Sequence, residues 1–379
     1  MTADRAPVPS GARVGPGSHL LVCGGAGFIG SCFVREILAV HDGTRVTVLD
    51  KLTYAGNLAN LAPVTDDPEQ TARYRFVRGD IADPAVVGPL VAEADAVIDF
   101  AAESHVDRSI LDPAAFLVTG VIGVHVLLEA VRWESERAIA GERRDADGRP
   151  RPAPRLLQVS TDEVYGSVAQ GRSTEEDPLA PRSPYAAAKA AGDLLVQSYR
   201  ATHGLDIVIT RGANTYGPFQ HPEKLIPLFT TNALQDLPLP LYGDGLQRRD
   251  WIHVADHAGA IAFVLAHGQA GETYNIPGGS ERTNREIVAV LLDALGKPWS
   301  LVRRVADRPG HDRRYAMDGA RLAALGWRAR VPFDTGLEET VAWYRDNEAW
   351  WRAARGPEWE DYYSTQYRER LAASDPAAR

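Results

Sequence analysis

The sequence predicts an α/β fold, a doubly wound parallel sheet that carries a smaller mixed α/β lobe. Three observations point there. Short apolar runs alternate with helix-periodic stretches through the first 211 residues. A glycine-spaced turn, Gly24-Gly25-Ala26-Gly27-Phe28-Ile29-Gly30, joins the first run to the first helix. The second run ends in an acid, Asp50, about 20 positions beyond that turn.

His19 to Cys23 (HLLVC) reads as the first strand, and the helix after the glycines runs to about Val40. Gly24, Gly27 and Gly30 are spaced G-x-x-G-x-x-G. Glycine permits the tight turn, lets backbone approach a pyrophosphate and lets the helix pack close to the strand. The helix N-terminus then offers free N–H groups to phosphate. Arg45 to Leu49 is the second strand. Asp50 at its end suits a ribose hydroxyl and favours NAD over NADP, whose 2′-phosphate it would repel. A strand-end Asp also commonly caps the next turn. Tyr74 to Arg78 is the third strand and ends at Gly79-Asp80-Ile81, where an acid can bond an adenine ring. Ala96 to Phe100 is the fourth, and the small Ala101 and Ala102 after it let a dinucleotide lie against the backbone. This is a Rossmann-type sheet. His105 reads as a satisfied loop histidine. Asp112-Pro113 opens a long helix to about Arg137, with Pro at its first position. Ala138 to Pro154 is polar and aperiodic, a surface insertion.

Leu156 to Val159 is the fifth strand, and it delivers Ser160, Thr161, Asp162 and Glu163 to one point. Adjacent carboxylates resist joint ionisation, so one can stay protonated while the other is charged. That supplies an acid and a base together, although Asp and Glu also simply decorate turns. Tyr185 and Lys189 follow on a helix running to about His203, four apart and on one face. An ammonium beside a phenol lowers the phenol's pKa from about 10, and the phenolate can take a proton from an alcohol. A surface Tyr/Lys pair is the ordinary meaning of this spacing. The preceding glycine turn and Ser160–Thr161 favour the chemical one.

Beyond the strand Asp206 to Arg211 the elements shorten and mix. Lys224, Arg248, Arg249, Arg303, Arg304 and His311 read as a lobe that grips a diphosphate, or singly as solvated surface. The aromatic stripe of a helix from Leu337 to Ala354 reads as packing. The expected organisation is a disordered leader over 1–18, a dinucleotide-binding domain over 19–211 with a return around 249–270, a substrate lobe over 212–248 and 271–363, and a tail over 364–379.

Composition narrows the class. A net charge of −9 speaks against a nucleic-acid surface, so contacts to an anionic ligand must be local. Cys23 and Cys32 fall on a strand and a helix, which does not make a disulfide framework. No apolar run is expected to span a bilayer. The leader has no apolar core of a signal peptide, so the expected setting is cytoplasmic. No metal-ligand spacing is present.

Several stretches together carry a resemblance. GGAGFIGS, the Tyr185/Lys189 pair and Ser160–Thr161 resemble the extended short-chain dehydrogenase/reductase superfamily. LDKLTYAGN, FAAESHVDRSI, STDEVYG, NTYGPFQHPEKLIP and DRPGHDRRYAMD resemble, more narrowly, the dTDP-glucose 4,6-dehydratases. The resemblance covers roughly Leu20 to Arg352. It implies a tightly held NAD+, a nucleotide-sugar substrate and a redox-neutral loss of water. Tyr185 would take the C4 hydroxyl proton, helped by Thr161 and Lys189; Glu163 would take the C5 proton and Asp162 would protonate the departing C6 hydroxyl. The implied cofactor contacts are Gly24, Gly27, Phe28, Ile29, Gly30, Asp50, Lys51, Leu52, Thr53, Asp80, Ile81, Ala101, Ala102, Thr119, Ser160, Tyr185, Lys189 and Thr215. The implied substrate contacts are Ser104, Thr161, Asn214, Lys224, Leu225, Pro240, Tyr242, Arg249, Asn275 and His311. A homodimer on paired helices, after Pro113 and after Pro184, is also implied. Thr215, Gly120 and Gly192 depart from the family's usual Asn, Asn and Ser. A 4-epimerase on the same scaffold would not need the Asp162–Glu163 couple, and a non-catalytic NAD-sensing protein would not need Tyr185 and Lys189. Tyr165, within STDEVYG, is not assigned a catalytic role.

Overall fold

The strand His19–Cys23 (β1) is buried at every position. Leu20 and Val22 join one apolar cluster and Leu21 and Cys23 another, the period-two signature of a sheet covered on both faces. The computed structural model describes residues 15–371, apart from 146, 358 and 369. Further strands are Arg45–Asp50 (β2), Tyr74–Arg78 (β3), Ala96–Asp99 (β4), Arg155–Thr161 (β5), Ile207–Gly212 (β6), Asn214–Tyr216 (β7), Leu239–Tyr242 (β8), Arg248–His253 (β9), Thr273–Ile276 (β10), Glu281–Thr283 (β11) and Val302–Val305 (β12). Seven of them form one sheet in the order β10-β6-β5-β4-β1-β2-β3, with every pair parallel. The order reverses between β1 and β4. A crevice outside the C-terminal strand ends at that switch point is where such sheets take ligands.

The glycine turn closes this crevice tightly. Gly24 has φ 72°, and a Cβ there would stand 2.7 Å from the Ala101 nitrogen. A Cβ on Gly30 would stand 2.4 Å from the Gly24 carbonyl oxygen, so the helix Phe28–Val40 starts hard against the turn. The helix Pro184–His203 begins on Ser183, whose side chain accepts from the Ala186 nitrogen at 3.1 Å, with Pro184 in its first turn. That start places Tyr185 at the sheet's ligand end.

The smaller lobe combines a three-stranded sheet, β11-β9-β7, with the pair β12-β8. The helices Leu225–Leu234, Asn284–Leu295 and Phe333–Asp346 pack Leu228, Phe229, Leu291 and Leu337 into its core. A capping box of Thr283 and Glu286 starts the second of these helices.

The structure departs from the expected organisation in five places. The return to the main sheet runs through the helix Val254–His267 and extends to β10, beyond position 270, while β9 belongs to the small sheet. Residues 15–18 of the expected leader are tied down, with Ser18 donating to the Gly15 carbonyl at 3.0 Å and Gly17 to the Gly43 carbonyl at 3.1 Å; 1–14 lie outside the described residues. Ser364–Arg368 of the expected tail is helical, and Gln366 and Tyr367 are buried; 372–379 lie outside the described residues. The aromatic helix is two helices, Phe333–Asp346 and Glu348–Arg355, broken at Asn347 so that Trp351 folds back to donate to the Tyr344 carbonyl at 2.8 Å.

The fifth departure concerns hydropathy. Ala114–Ile139 is one 26-residue helix with a window of mean hydropathy 2.0, long and apolar enough to cross a membrane. Packing accounts for part of that apolar surface. Val124, Leu127, Leu128 and Val131 sit in the core beneath the sheet. Gly120 lies in a π-helical stretch, Val118–Gly123, against Ala188, and a Cβ on Gly192 would stand 2.8 Å from the Gly120 carbonyl oxygen. The two glycines that replace larger residues therefore let this helix approach Pro184–His203 closely.

Gly24→Ala should lower the unfolding free energy by about 1–3 kcal/mol, since the positive φ and the Ala101 backbone both oppose a methyl group. Urea denaturation of the purified protein checks this.

Candidate active site

β5 carries Ser160 and Thr161 to the ligand end, and Asp162–Tyr165 then turns as a single 3₁₀ helix. Thr161 caps that turn: its hydroxyl accepts from the Glu163 nitrogen at 3.3 Å and donates to Asp162 Oδ1 at 3.1 Å. Asp162 is buried, and its Oδ2 has no hydrogen-bond partner among the described residues. Burial, and then the neighbouring Glu163 charge, hold the Asp162 carboxyl well above the usual carboxylate range. Burial raises Glu163 as well, but Arg308, Arg249 and Lys224 oppose that rise. The pair is thus split by its surroundings. Burial and charge favour the proton on Asp162 and the ionised form on Glu163.

Tyr185 stands in the same pocket. Its phenol is raised by burial and by the charges of Glu163 and Asp162, with a Thr161 hydrogen bond opposing. This corrects the expectation of a lysine-lowered phenol. Lys189 is also buried; its Nζ donates to the Val159 carbonyl at 2.5 Å, and Asp99 and Asp193 sustain its charge against burial.

Three cavities adjoin along the strand ends. The first is lined by Asp50, Lys51, Thr53, Asp80, Ile81, Ala101, Ala102 and Thr119. Gly24 and Gly27 line both it and a second, which holds Phe28, Ile29, Gly30, Ser104, Ser160, Thr161, Asp162, Tyr185, Lys189 and Thr215. Glu163, Asn214 and Lys224 are shared between the second and a third, which holds Leu225, Pro240, Tyr242, Arg249, Arg308 and His311. The anticipated cofactor residues thus lie along the first two cavities and the substrate residues along the second and third. Asp50 accepts from the Ala26 nitrogen at 2.9 Å and the Leu52 nitrogen at 2.8 Å, so it shapes the turn while facing the first cavity. Leu52, at φ 58°, packs against the core and is absent from the residues lining these cavities.

Other assignments shift. Asn275 is fully buried: it accepts from the Tyr165 hydroxyl at 2.8 Å, donates to the Ser173 carbonyl at 3.1 Å and lines none of the three cavities. In this structure it stands behind the cavity walls and not on their surface. Tyr165 is part of the same wall, accepting from Arg211 Nη1 at 2.7 Å, while Arg211 Nε pairs with Asp193 at 2.9 Å. His105 is a satisfied histidine, 3.3 Å from the Tyr362 hydroxyl and lowered to about 4 by burial. Thr215 places its hydroxyl 2.7 Å from His257 Nδ1, a neutral imidazole lowered to about 4 by burial. Arg248, Arg303 and Arg304 are exposed and line none of the three cavities. Arg308 was not anticipated. It joins Lys224 and Arg249 in the third cavity and pairs with Asp107 at 3.2 Å. Two signals could have found it: its place within DRPGHDRRYAMD, the stretch that holds His311, and its position beside the Pro309-Gly310 turn.

A parallel sheet with a glycine switch-point turn, and a Tyr–Lys pair beside a split carboxylate couple, define an extended short-chain dehydrogenase/reductase. Comparison with known proteins narrows this. The family model for GDP-mannose 4,6 dehydratase matches residues 21–340. A dTDP-glucose 4,6-dehydratase of Streptomyces niveus is 52% identical over 345 residues, covering 90% of this chain and 96% of the relative. The crystal structure of a DesIV double mutant (dTDP-glucose 4,6-dehydratase) from Streptomyces venezuelae with NAD bound has a TM-score of 0.81 and 52% identity, covering 88% of this chain and 99% of that one. A UDP-glucose 4-epimerase from Thermus thermophilus in complex with NAD has a TM-score of 0.75 at 33% identity, covering 87% of this chain and 99% of that one. The chain belongs to the nucleotide-sugar 4,6-dehydratase family.

Two outcomes follow from the buried groups. A carboxyl raised in the folded state stabilises below its unfolded pKa of about 3.9, and that contribution is lost as pH rises through the folded value. Asp162→Asn should therefore melt above wild type at pH 7, by about 2 °C or more, with the gap closing toward pH 4. Melting curves across pH 4–8 test it. Tyr165→Phe strands Arg211 and Asn275 and should cost about 1–3 kcal/mol of stability while leaving turnover largely intact. Paired denaturation and rate measurements check that, and a collapse of turnover in a folded variant would make Tyr165 a catalytic group.

Proposed function

We propose that this chain is a dTDP-glucose 4,6-dehydratase that uses NAD and yields the 4-keto-6-deoxy sugar. The observation that carries the reading is the split pair Asp162–Glu163 beside Tyr185, at the meeting of the cofactor and substrate cavities. A plain dehydrogenase or an epimerase has no use for a second acid and base there. The cofactor fits the residues present. The Gly24–Ala101 approach leaves bare backbone along the crevice, Asp50 faces a ribose position, and the one basic residue at that strand end, Lys51, is paired with Asp80 at 2.6 Å.

NAD, when bound, supplies a hydride acceptor for C4, gives the hydride back to C6, and in its oxidised form adds a positive ring charge. The chain handles the protons. Tyr185 Oη is the base for the C4 hydroxyl proton once its own phenolic proton has passed to solvent, with Thr161 hydrogen-bonded to it and Lys189 one helical turn along. The C4 ketone acidifies the C5 proton, and Glu163 removes it. Asp162, already protonated, gives its proton to the C6 hydroxyl, which leaves as water. Glu163 then holds a proton it can return to C5. Lys224, Arg249 and Arg308 supply the local positive charge that a diphosphate needs on a chain of net charge −9.

A homodimer belongs to the same reading. Leu111, Leu117, Val118 and Ile122, at and near the start of the Ala114–Ile139 helix, and Leu194 on Pro184–His203 are all exposed, which suits helices paired across a two-fold axis. The setting we assign is the cytoplasm, with that apolar helix facing a second copy and not lipid.

Turnover of dTDP-glucose deuterated at C4 should place the label at C6 of a 4-keto-6-deoxy product. Product lacking that label sinks the reading, and formation of UDP-galactose from UDP-glucose would favour a 4-epimerase. Glu163→Gln and Asp162→Asn should each lower kcat by about 10²–10⁴-fold with bound NAD unchanged.

A further inference from the structure

The segment beyond the matched family region, after residue 340, includes a piece that reaches back into the substrate cavity. Trp359–Tyr363 and Ser364–Arg368 are consecutive helical turns, and Tyr367 lines the third cavity with Pro240, Leu241 and Tyr242. The preceding residue locks them there. Gln366 Nε2 donates to Asp107 Oδ2 at 2.9 Å and to the Tyr242 hydroxyl at 2.7 Å. The Tyr242 hydroxyl in turn donates to the same Asp107 oxygen at 2.9 Å, and Arg308 holds the other carboxylate oxygen at 3.2 Å. Both amide hydrogens of Gln366 are therefore spent on groups that belong to the substrate cavity. A second tether joins Tyr362 to His105, and the Arg108 guanidinium lies 4.2 Å from the Tyr362 ring centroid.

The aromatic wall has a distinct composition. Tyr242 stands with its ring 6.2 Å from that of Tyr367, and Arg370 covers Tyr242 at 5.2 Å. The cations that suit a diphosphate, Lys224, Arg249 and Arg308, lie in the same cavity. A flat apolar wall beside a diphosphate grip suits a nucleobase, which stacks on aromatic faces. We propose that residues 359–368 form the cover of the nucleoside part of the substrate site, with Tyr367 as a contact residue and Gln366 as the positioning residue that fixes Tyr242 and Asp107. This rests on the reading of the chain as a nucleotide-sugar dehydratase.

The cover acts on binding and not on the carbon chemistry, so its signature is a split between KM and kcat. Tyr367→Ala and Gln366→Ala should raise KM for dTDP-glucose roughly tenfold, keep kcat within about twofold and retain bound NAD. Hydrogen exchange of the unmodified protein supplies a readout that needs no variant: dTDP should slow exchange across 359–368. Unchanged KM in both folded variants, or unchanged exchange over that segment with dTDP bound, overturns the proposal. If wild type does not turn over dTDP-glucose yet another nucleoside diphosphate hexose slows exchange over 359–368, the substrate reading fails and the cover stands.

Discussion

Two carboxylates cannot be buried side by side unless something offsets their charge, and much of the small lobe answers that constraint. Asp162 and Glu163 are delivered by a central strand whose other face and flanks are apolar. Their counter-charges come from three separate places in the chain. Lys224 precedes the helix Leu225–Leu234, Arg249 lies on β9, and Arg308 lies in the loop after β12. Arg249 is buried and Lys224 and Arg308 are half-buried; all three charges act on Glu163, and of them Arg249 also acts on Asp162. The asymmetry of the pair, and with it the assignment of acid and base, is a property of where the second lobe sits.

A parallel arrangement holds on the cofactor side. Lys189 is buried among Asp99 on β4 and Asp193 one turn further along its own helix, and Arg211 neutralises Asp193 in turn. Tyr165 and Asn275 complete that layer by hydrogen bonds. The charges behind the Tyr–Lys pair are thus largely offset by one another, although Asp99 Oδ2, Asp193 Oδ1 and Ser160 Oγ keep no hydrogen-bond partner among the described residues. Tyr185 stands at the edge of this layer, where burial and then the Glu163 charge hold its phenol above the usual range.

Much of the dinucleotide half was legible residue by residue. Period-two burial, the glycine spacing and strand-end acids are local patterns, and β1 to β6 lie within a residue or two of where those patterns put them. Asn275, Arg308 and Gln366 were not legible in the same way. Asn275 sits one residue from a strand end and has the chemistry of a ligand group, yet its neighbours Tyr165 and Ser173 are about a hundred positions away in sequence and take both ends of its amide. Arg308 looked like any surface arginine near a Pro-Gly turn. Gln366 fell in a polar terminus whose partners, Asp107 and Tyr242, are more than a hundred residues distant. The length of the apolar helix Ala114–Ile139 was missed as well, because its central glycines pack against another helix, a contact no local pattern shows.

The sequence by itself determined the class of fold, the dinucleotide turn and the set of groups able to move protons, because each depends on spacing within one strand, turn or helix. Only the tertiary structure decided which carboxylate is held the higher, which of the many basic residues line the third cavity, and that Tyr367 joins its wall. Those outcomes depend on burial and on charges brought together from distant segments, and neither is encoded in any local pattern.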